Sequence, residues 1–214
     1  MTDYFTFLGL SRKLGIDVQE LDRRYRALSR QFHPDYFHNA SPGERRVSLE
    51  RSSYLNDAYR TLKNPVTRIE YLLKLEVGSP QGSDDPQSDA AQLKHGTPLP
   101  GRKPPASLLE EVFALNEELG EIREMRDRGA APEEWQARLE RAQQPIEAKR
   151  IAHEAEIAAL SSQWDAALDR DAPLDHRHAI LEALGDKFLE RNYISNLLLG
   201  IERELGVEPS ALGN

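Results

Sequence analysis

The chain has no cysteine. That absence removes disulfides, thiolate zinc sites, cysteine-ligated clusters and cysteine nucleophiles together. No apolar run approaches the length needed to cross a bilayer, so no membrane span is expected. The opening residues, Met1-Thr2-Asp3-Tyr4-Phe5, lack a basic stretch ahead of an apolar one and lack the Arg- and Ser-rich pattern of a transit peptide. The expectation is a cytoplasmic protein without an export signal. Phosphate-cradling glycine loops, a nucleophile elbow and a calcium loop are also missing. His153-Glu154 starts like a zinc-protease helix, but Ile157 stands where the second histidine belongs. Asp175-His176-Arg177-His178 reads as solvent-facing residues at a helix start. The carboxylates lie mostly on helix faces with arginines three or four residues away, which is ordinary surface pairing. No catalytic residue, no cofactor and no metal site of its own is expected.

What the chain does have is charge, unevenly spread. Charged residues make up 30% of the 214, with a net charge of -8. Residues 1–75 hold 13 Lys and Arg against 9 Asp and Glu, a balance of +4, and the remainder holds 15 against 27, a balance of -12. A mildly basic part followed by a strongly acidic one suggests two modules with different partners. The acidic part argues against nucleic acid as the main ligand, since phosphate binding needs clustered Lys and Arg.

Helix signals dominate, and an all-α fold follows. A short helix is expected after Asp3, ended by Gly9. A second opens at Asp17 with Glu20 completing a capping box, and Leu21, Leu28 and Phe32 fall on one apolar stripe. Ser41-Pro42-Gly43-Glu44 is another cap with its proline and glutamate in place. The helix it starts stops before Asn64-Pro65, where a further helix begins. Between about Val77 and Ala106, Gly, Pro, Ser and Asp accumulate, as in a flexible linker. Three longer helices are expected beyond it. The first starts at Ser107 with Glu110 as its capping-box partner. The second runs from Pro132 to about Arg170, with a kink or break near Gln143 because of Pro145. The third runs from Pro173 to Leu205. Short connections make these three an up-down bundle. The expected domains are 1–76, a linker over 77–106, a bundle over 107–206 and a tail over 207–214.

One segment carries most of the functional signal: Tyr25 to Asp35, an arginine-bearing amphipathic helix running into His33-Pro34-Asp35. A residue before proline is pushed out of helical geometry, so the helix ends at about Phe32 or His33. Pro34 stiffens the turn and Asp35 is left as an acid on a rigid corner. Arg23, Arg26 and Arg30 project from the side opposite the apolar stripe. Two antiparallel helices with an exposed charged corner between them suit docking better than catalysis.

Tyr25-Arg26-x-Leu28-Ser29 leading to Phe32-His33-Pro34-Asp35, then Leu55-Asn56-x-Ala58-Tyr59-x-x-Leu62 one helix later, resembles the J-domain of DnaJ-like cochaperones. Asp3-Tyr4-Phe5, Gly9-Leu10 and Pro65-x-x-Arg68-x-x-Tyr71-Leu72-Leu73, together with the acidic bundle, are similar to the HscB-type J-proteins of iron–sulfur cluster assembly. That resemblance implies two partners: a chaperone ATPase of the HscA/DnaK type and an IscU-type cluster scaffold. It implies ATPase contact through His33, Pro34, Asp35, Arg23, Tyr25, Arg26 and Arg30. It implies scaffold contact through Leu109, Phe113 and Glu117 on the first bundle helix and Tyr193 on the last. Glu110, Ala114 and Asn116 differ from the residues common in that family, and Tyr36 replaces its usual basic residue. Two other readings stay open from the residues alone: a general J-protein that binds unfolded clients, and a helical nucleic-acid-binding protein.

Overall fold

The computed structural model describes residues 2–37, 40–77 and 106–205, and among them there is no strand. Seven α-helices follow in order: α1 (Tyr4–Phe7), α2 (Val18–Phe32), α3 (Pro42–Lys63), α4 (Pro65–Val77), α5 (Ala106–Asp127), α6 (Pro132–Asp169) and α7 (Leu174–Leu205). A 3-10 turn, Pro34–Phe37, separates α2 from α3. The described residues divide into two compact units, one of residues up to 77 with Ser162–Arg177, the other of 106–161 with 178–205. The bulk of the stretch expected as a linker, and the expected tail, lie outside the described residues.

The first unit is built by α2 and α3 closing over an apolar stripe. Leu21 and Phe32 of α2 and Leu55, Ala58 and Leu62 of α3 are buried, as are Phe5, Leu8, Leu72 and Leu73. The local start and stop signals are met by hydrogen bonds. Asp3 caps α1 by accepting from the Thr6 amide at 3.0 Å, and Gly9 leaves that helix with φ of 67°, a conformation natural to glycine. Ser41 and Glu44 form the reciprocal capping box predicted for α3. Asp17 caps α2 by accepting from Gln19 at 2.9 Å, but the expected box with Glu20 is not made. The Glu20 carboxylate instead takes charged donors from Arg23 and Arg24, which outcompete a backbone amide.

The loop before α2 is gripped on both its donors and its acceptors. Asp165 of α6 accepts from the Leu14 and Gly15 amides, each at 2.7 Å. Trp164, 2% exposed, donates its indole N–H to the Arg12 carbonyl at 2.8 Å. A Cβ at Gly15 would stand 2.8 Å from the Asp165 carboxylate, so a side chain there would push that carboxylate away from its amides. The buried Arg68 guanidinium donates to the Leu14 carbonyl, to Leu62 at 2.6 Å and to Lys63 at 3.2 Å. Those last two carbonyls belong to the final turn of α3, which has no amides ahead of it to use. Burial pulls the Arg68 pKa below its ordinary value, and Asp165 opposes that pull.

In the second unit three helices share one core: Leu115, Leu119 and Ile122 from α5, Leu139 from α6, Leu197 and Ile201 from α7. The described part of α5 already includes Ala106 and Ser107. Of the kink or break expected at Pro145, the break is not found, since α6 runs unbroken through it. An interior proline costs about 3 kcal/mol, but Pro145 and the Arg141 that loses its amide partner are exposed. On the opposite face Leu139 is buried and Ala142 and Ile146 pack against the core. Such burial is worth roughly 1.5–3 kcal/mol per large apolar side chain, so packing holds the helix together.

Asp165→Ala should remove both acceptors of the 14–15 loop. The expected loss is about 1–3 kcal/mol in thermal or urea unfolding, with faster amide exchange at Leu14 and Gly15.

Candidate functional site

The corner after α2 is held from behind. His33 leaves the helix with φ -62° and ψ 128°, the extended geometry that a following proline imposes. The Phe32 carbonyl, last of the helix, accepts from the Ser48 hydroxyl at 2.8 Å and from Ser52 at 3.4 Å. The Arg51 guanidinium stands over the Phe32 ring, 5.5 Å from its centre. With its root fixed on α3, the corner turns outward. The His33 side chain is 50% exposed and that of Asp35 87%. His33 Nδ1 accepts from the Asp35 amide at 3.3 Å and lies 3.5 Å from its carboxylate. The Tyr36 amide closes the turn on the His33 carbonyl at 3.1 Å. Ser29, Arg30, His33, Asp35 and Tyr36 line one shallow depression.

The basic face of α2 is not uniform. Arg23 donates to Glu20 at 2.9 Å, and the Arg24 and Arg23 guanidiniums hold the Glu20 carboxyl below its ordinary pKa. Arg26 reaches Asp22 only at 3.9 Å. Arg30, nearest the corner, bonds to the Arg26 carbonyl at 3.3 Å. Tyr25 turns toward α3, where it stacks on Tyr59 with centres 4.2 Å apart and donates to Asn56 at 2.8 Å. Tyr59 in turn donates to Asp22 at 2.8 Å. The structure thus gathers Arg30, His33 and Asp35, sets Arg23 and Arg26 further along α2, and makes Tyr25 a strut between the two helices. Ser48, Ser52 and Arg51 were not singled out from sequence; the four-residue spacing of the two serines is the only signal that marks them.

On the bundle, Leu109 and Phe113 are exposed, Phe113 at 72%. Their neighbours Leu115 and Leu119 are buried and Val112 packs against the core, so α5 divides into core and outer apolar residues. Glu117 is exposed. Tyr193 is half-buried against Ile194 and Leu198 together with Ile146, so part of its ring serves the bundle itself. The face is acidic and pinned by ion pairs along its flanks, Arg138 to Glu118 at 2.9 Å and Arg123 to Glu204 at 2.8 Å. Among the described residues no helix is long and apolar enough to cross a membrane.

Residues 3–71 match the DnaJ domain. Over 168 residues the chain is 35% identical to the co-chaperone protein HscB of Proteus mirabilis, covering 78% of this chain and 84% of that protein. The chain belongs to the HscB co-chaperone family. An HscB homolog of Neisseria meningitidis is 49% identical over 74 residues, a match that covers 35% of this chain and 45% of the homolog. Among solved structures, the chaperone HscB from Vibrio cholerae superposes with a TM-score of 0.55 at 25% identity, covering 96% of this chain and 98% of that one. Human HscB gives a TM-score of 0.57 at 24% identity, covering 96% and 83%, which is a likeness of fold. An all-α HscB architecture with an N-terminal J-domain is therefore the fold of this co-chaperone.

The Phe32 carbonyl is the hinge pin of the HscB corner. Ser48→Ala with Ser52→Ala should strip both donors from it and lower stability by about 1–3 kcal/mol. Ser52→Ala alone, losing the longer bond, should cost less; urea midpoints distinguish the two.

Proposed function

We propose that this HscB-family protein is a two-partner adaptor of iron–sulfur cluster assembly. Its J-domain engages an HscA/DnaK-type ATPase through His33, Pro34 and Asp35. Arg30, Arg26 and Arg23 steer the approach to an acidic surface, and Tyr25 keeps α2 in register with α3. Opposite charges accelerate encounter and set orientation more than they add affinity. Docking of the corner shifts the ATPase toward its hydrolysing state, since a partner moves an equilibrium only through contacts that differ between states. The bundle carries an IscU-type scaffold on Leu109, Phe113, Glu117 and Tyr193. The bond-breaking residues belong to the ATPase, and this chain acts as its stimulator and not as an enzyme. Without a cysteine it offers no thiolate to a cluster, so the cluster stays on the scaffold.

The observation that carries this reading is the corner: an imidazole and a carboxylate displayed on a turn whose root is tied to α3. A general client-binding J-protein would need a broad apolar surface, whereas the outer face of α5 offers Leu109 and Phe113 between carboxylates.

Single-turnover ATP hydrolysis by purified HscA with scaffold present tests the first half. His33→Gln should lower stimulation by at least about tenfold, within the usual range of coupling between sites; unchanged stimulation refutes the J-domain role. A pull-down tests the second half. Leu109→Ser/Phe113→Ser should lose most scaffold capture, as removal of central apolar anchors does, and equal recovery with the native chain would sink it.

A further inference from the structure

Two interior glycines on different helices leave space that nothing in the described chain fills. Gly120 on α5 and Gly200 on α7 are both half-buried, yet a Cβ added at either would meet no heavy atom within 4 Å. Glycine is a poor helix former, and neither position needs it for backbone geometry, since the positive-φ glycines are Gly9 and Gly129. Packing among the described residues does not account for them.

Both glycines flank one seam. On α5, Leu109, Phe113, Asn116, Gly120 and Arg123 follow at steps of four and three, so they share a face. On α7, Tyr193, Leu197, Gly200 and Glu204 do the same. The Arg123–Glu204 ion pair, at 2.6 Å, joins the two stripes and sets their register. The pairs Glu111–Lys149 and Glu118–Arg138 set α5 antiparallel to α6, and His153–Glu190 with Ile146 packed on Ile194 and Leu198 sets α6 antiparallel to α7, so α5 and α7 run in the same direction. Counted back from the ion pair, Gly120 and Gly200 come level with each other. Two turns further, Phe113 comes level with Tyr193, and Leu109 stands one turn beyond them. The outer edge of α5 beside Phe113 carries Glu110 and Glu117, which form no ion pair among the described residues.

Resting on the scaffold-binding reading above, we infer that the scaffold's contact extends from Leu109 and Phe113 along the α5–α7 seam over Gly120 and Gly200. The occupant is an apolar segment of the scaffold protein flanked by basic side chains. The glycines let its backbone approach the two helices, Phe113 and Leu109 supply the apolar anchor, and Glu110 and Glu117 meet its cations. A helix or strand lying on such a face gains its affinity at anchors and its register from the flanking charges.

Calorimetric titration of the full chain with purified IscU-type scaffold tests this. Gly120→Leu and Gly200→Leu should each weaken Kd by about tenfold or more, some 1.4 kcal/mol. Their thermal midpoints should stay at or above that of the native chain, because leucine is the better helix former and the space is open. Ala155→Leu, on an exposed position of α6, should bind as the native chain does. Raising salt should weaken native binding, as expected for an exposed charge contact. Native affinity in both glycine variants, with binding lost in Leu109→Ser/Phe113→Ser, would overturn the extension and leave the scaffold reading standing. Native affinity in all of these variants would overturn both. A lowered midpoint in the glycine variants would mean the space is filled in the free chain, and salt-independent binding would remove the basic flank; either outcome overturns that part of the inference.

Discussion

The carbonyl of Phe32 is the last acceptor of α2, and two serine hydroxyls of α3 hold it. A helix end is normally the softest part of a helix, because its final carbonyls have no amides beyond them. Here the end is fixed from the side, before the chain turns through Pro34. His33 and Asp35 can then stand in solvent without the turn losing its shape. The aromatic pair Tyr25–Tyr59 and the bond from Tyr59 to Asp22 repeat the same device further along the two helices. Display of polar groups on the corner depends on this rigid backing, since a loose turn would spend binding free energy on its own ordering.

Upstream of α2 the chain solves a related problem by different means. The loop around Leu14 has exposed backbone groups that neither helix can satisfy. Arg68 takes its carbonyl and Asp165 its amides. Both are charged groups bonding to backbone, an arrangement stronger than a neutral pair. Leaving either end of this arrangement unpaired would cost more than its formation gains. Placing Trp164 and Asp165 at the end of α6 makes residues distant in sequence part of the unit that presents α2.

The bundle divides its labour between faces. Its interior is mainly aliphatic and draws on three helices, and its flanks carry arginine–glutamate pairs of modest individual value. What the pairs do contribute is register: Arg123 with Glu204 and Arg138 with Glu118 match positions across helices. An exposed phenylalanine on such a surface stands out because nothing in the core requires it. The carboxylates around this small apolar face disfavour non-specific apolar contact.

Much of this protein was determined by its sequence alone. Caps at Asp3, Asp17 and Ser41, the stop at His33-Pro34 and the heptad-like spacing of Leu115, Leu119 and Ile122 are local or periodic signals. They act through neighbouring backbone and survive any tertiary arrangement. The candidate corner was legible for the same reason: Pro34 restricts His33 wherever the chain goes. Leu109 and Phe113 were legible through the family resemblance of their helix. The tertiary structure decided what depends on groups far apart in the chain. It withheld the Glu20 carboxylate from its cap because Arg23 and Arg24 compete for it, and it carried α6 through Pro145 because one face was buried. It turned Tyr25 inward to Asn56, placed Ser48 and Ser52 on the Phe32 carbonyl and brought Asp165 to Leu14. Each of these is a choice among partners of similar chemistry, and only the packed chain sets which one lies within reach.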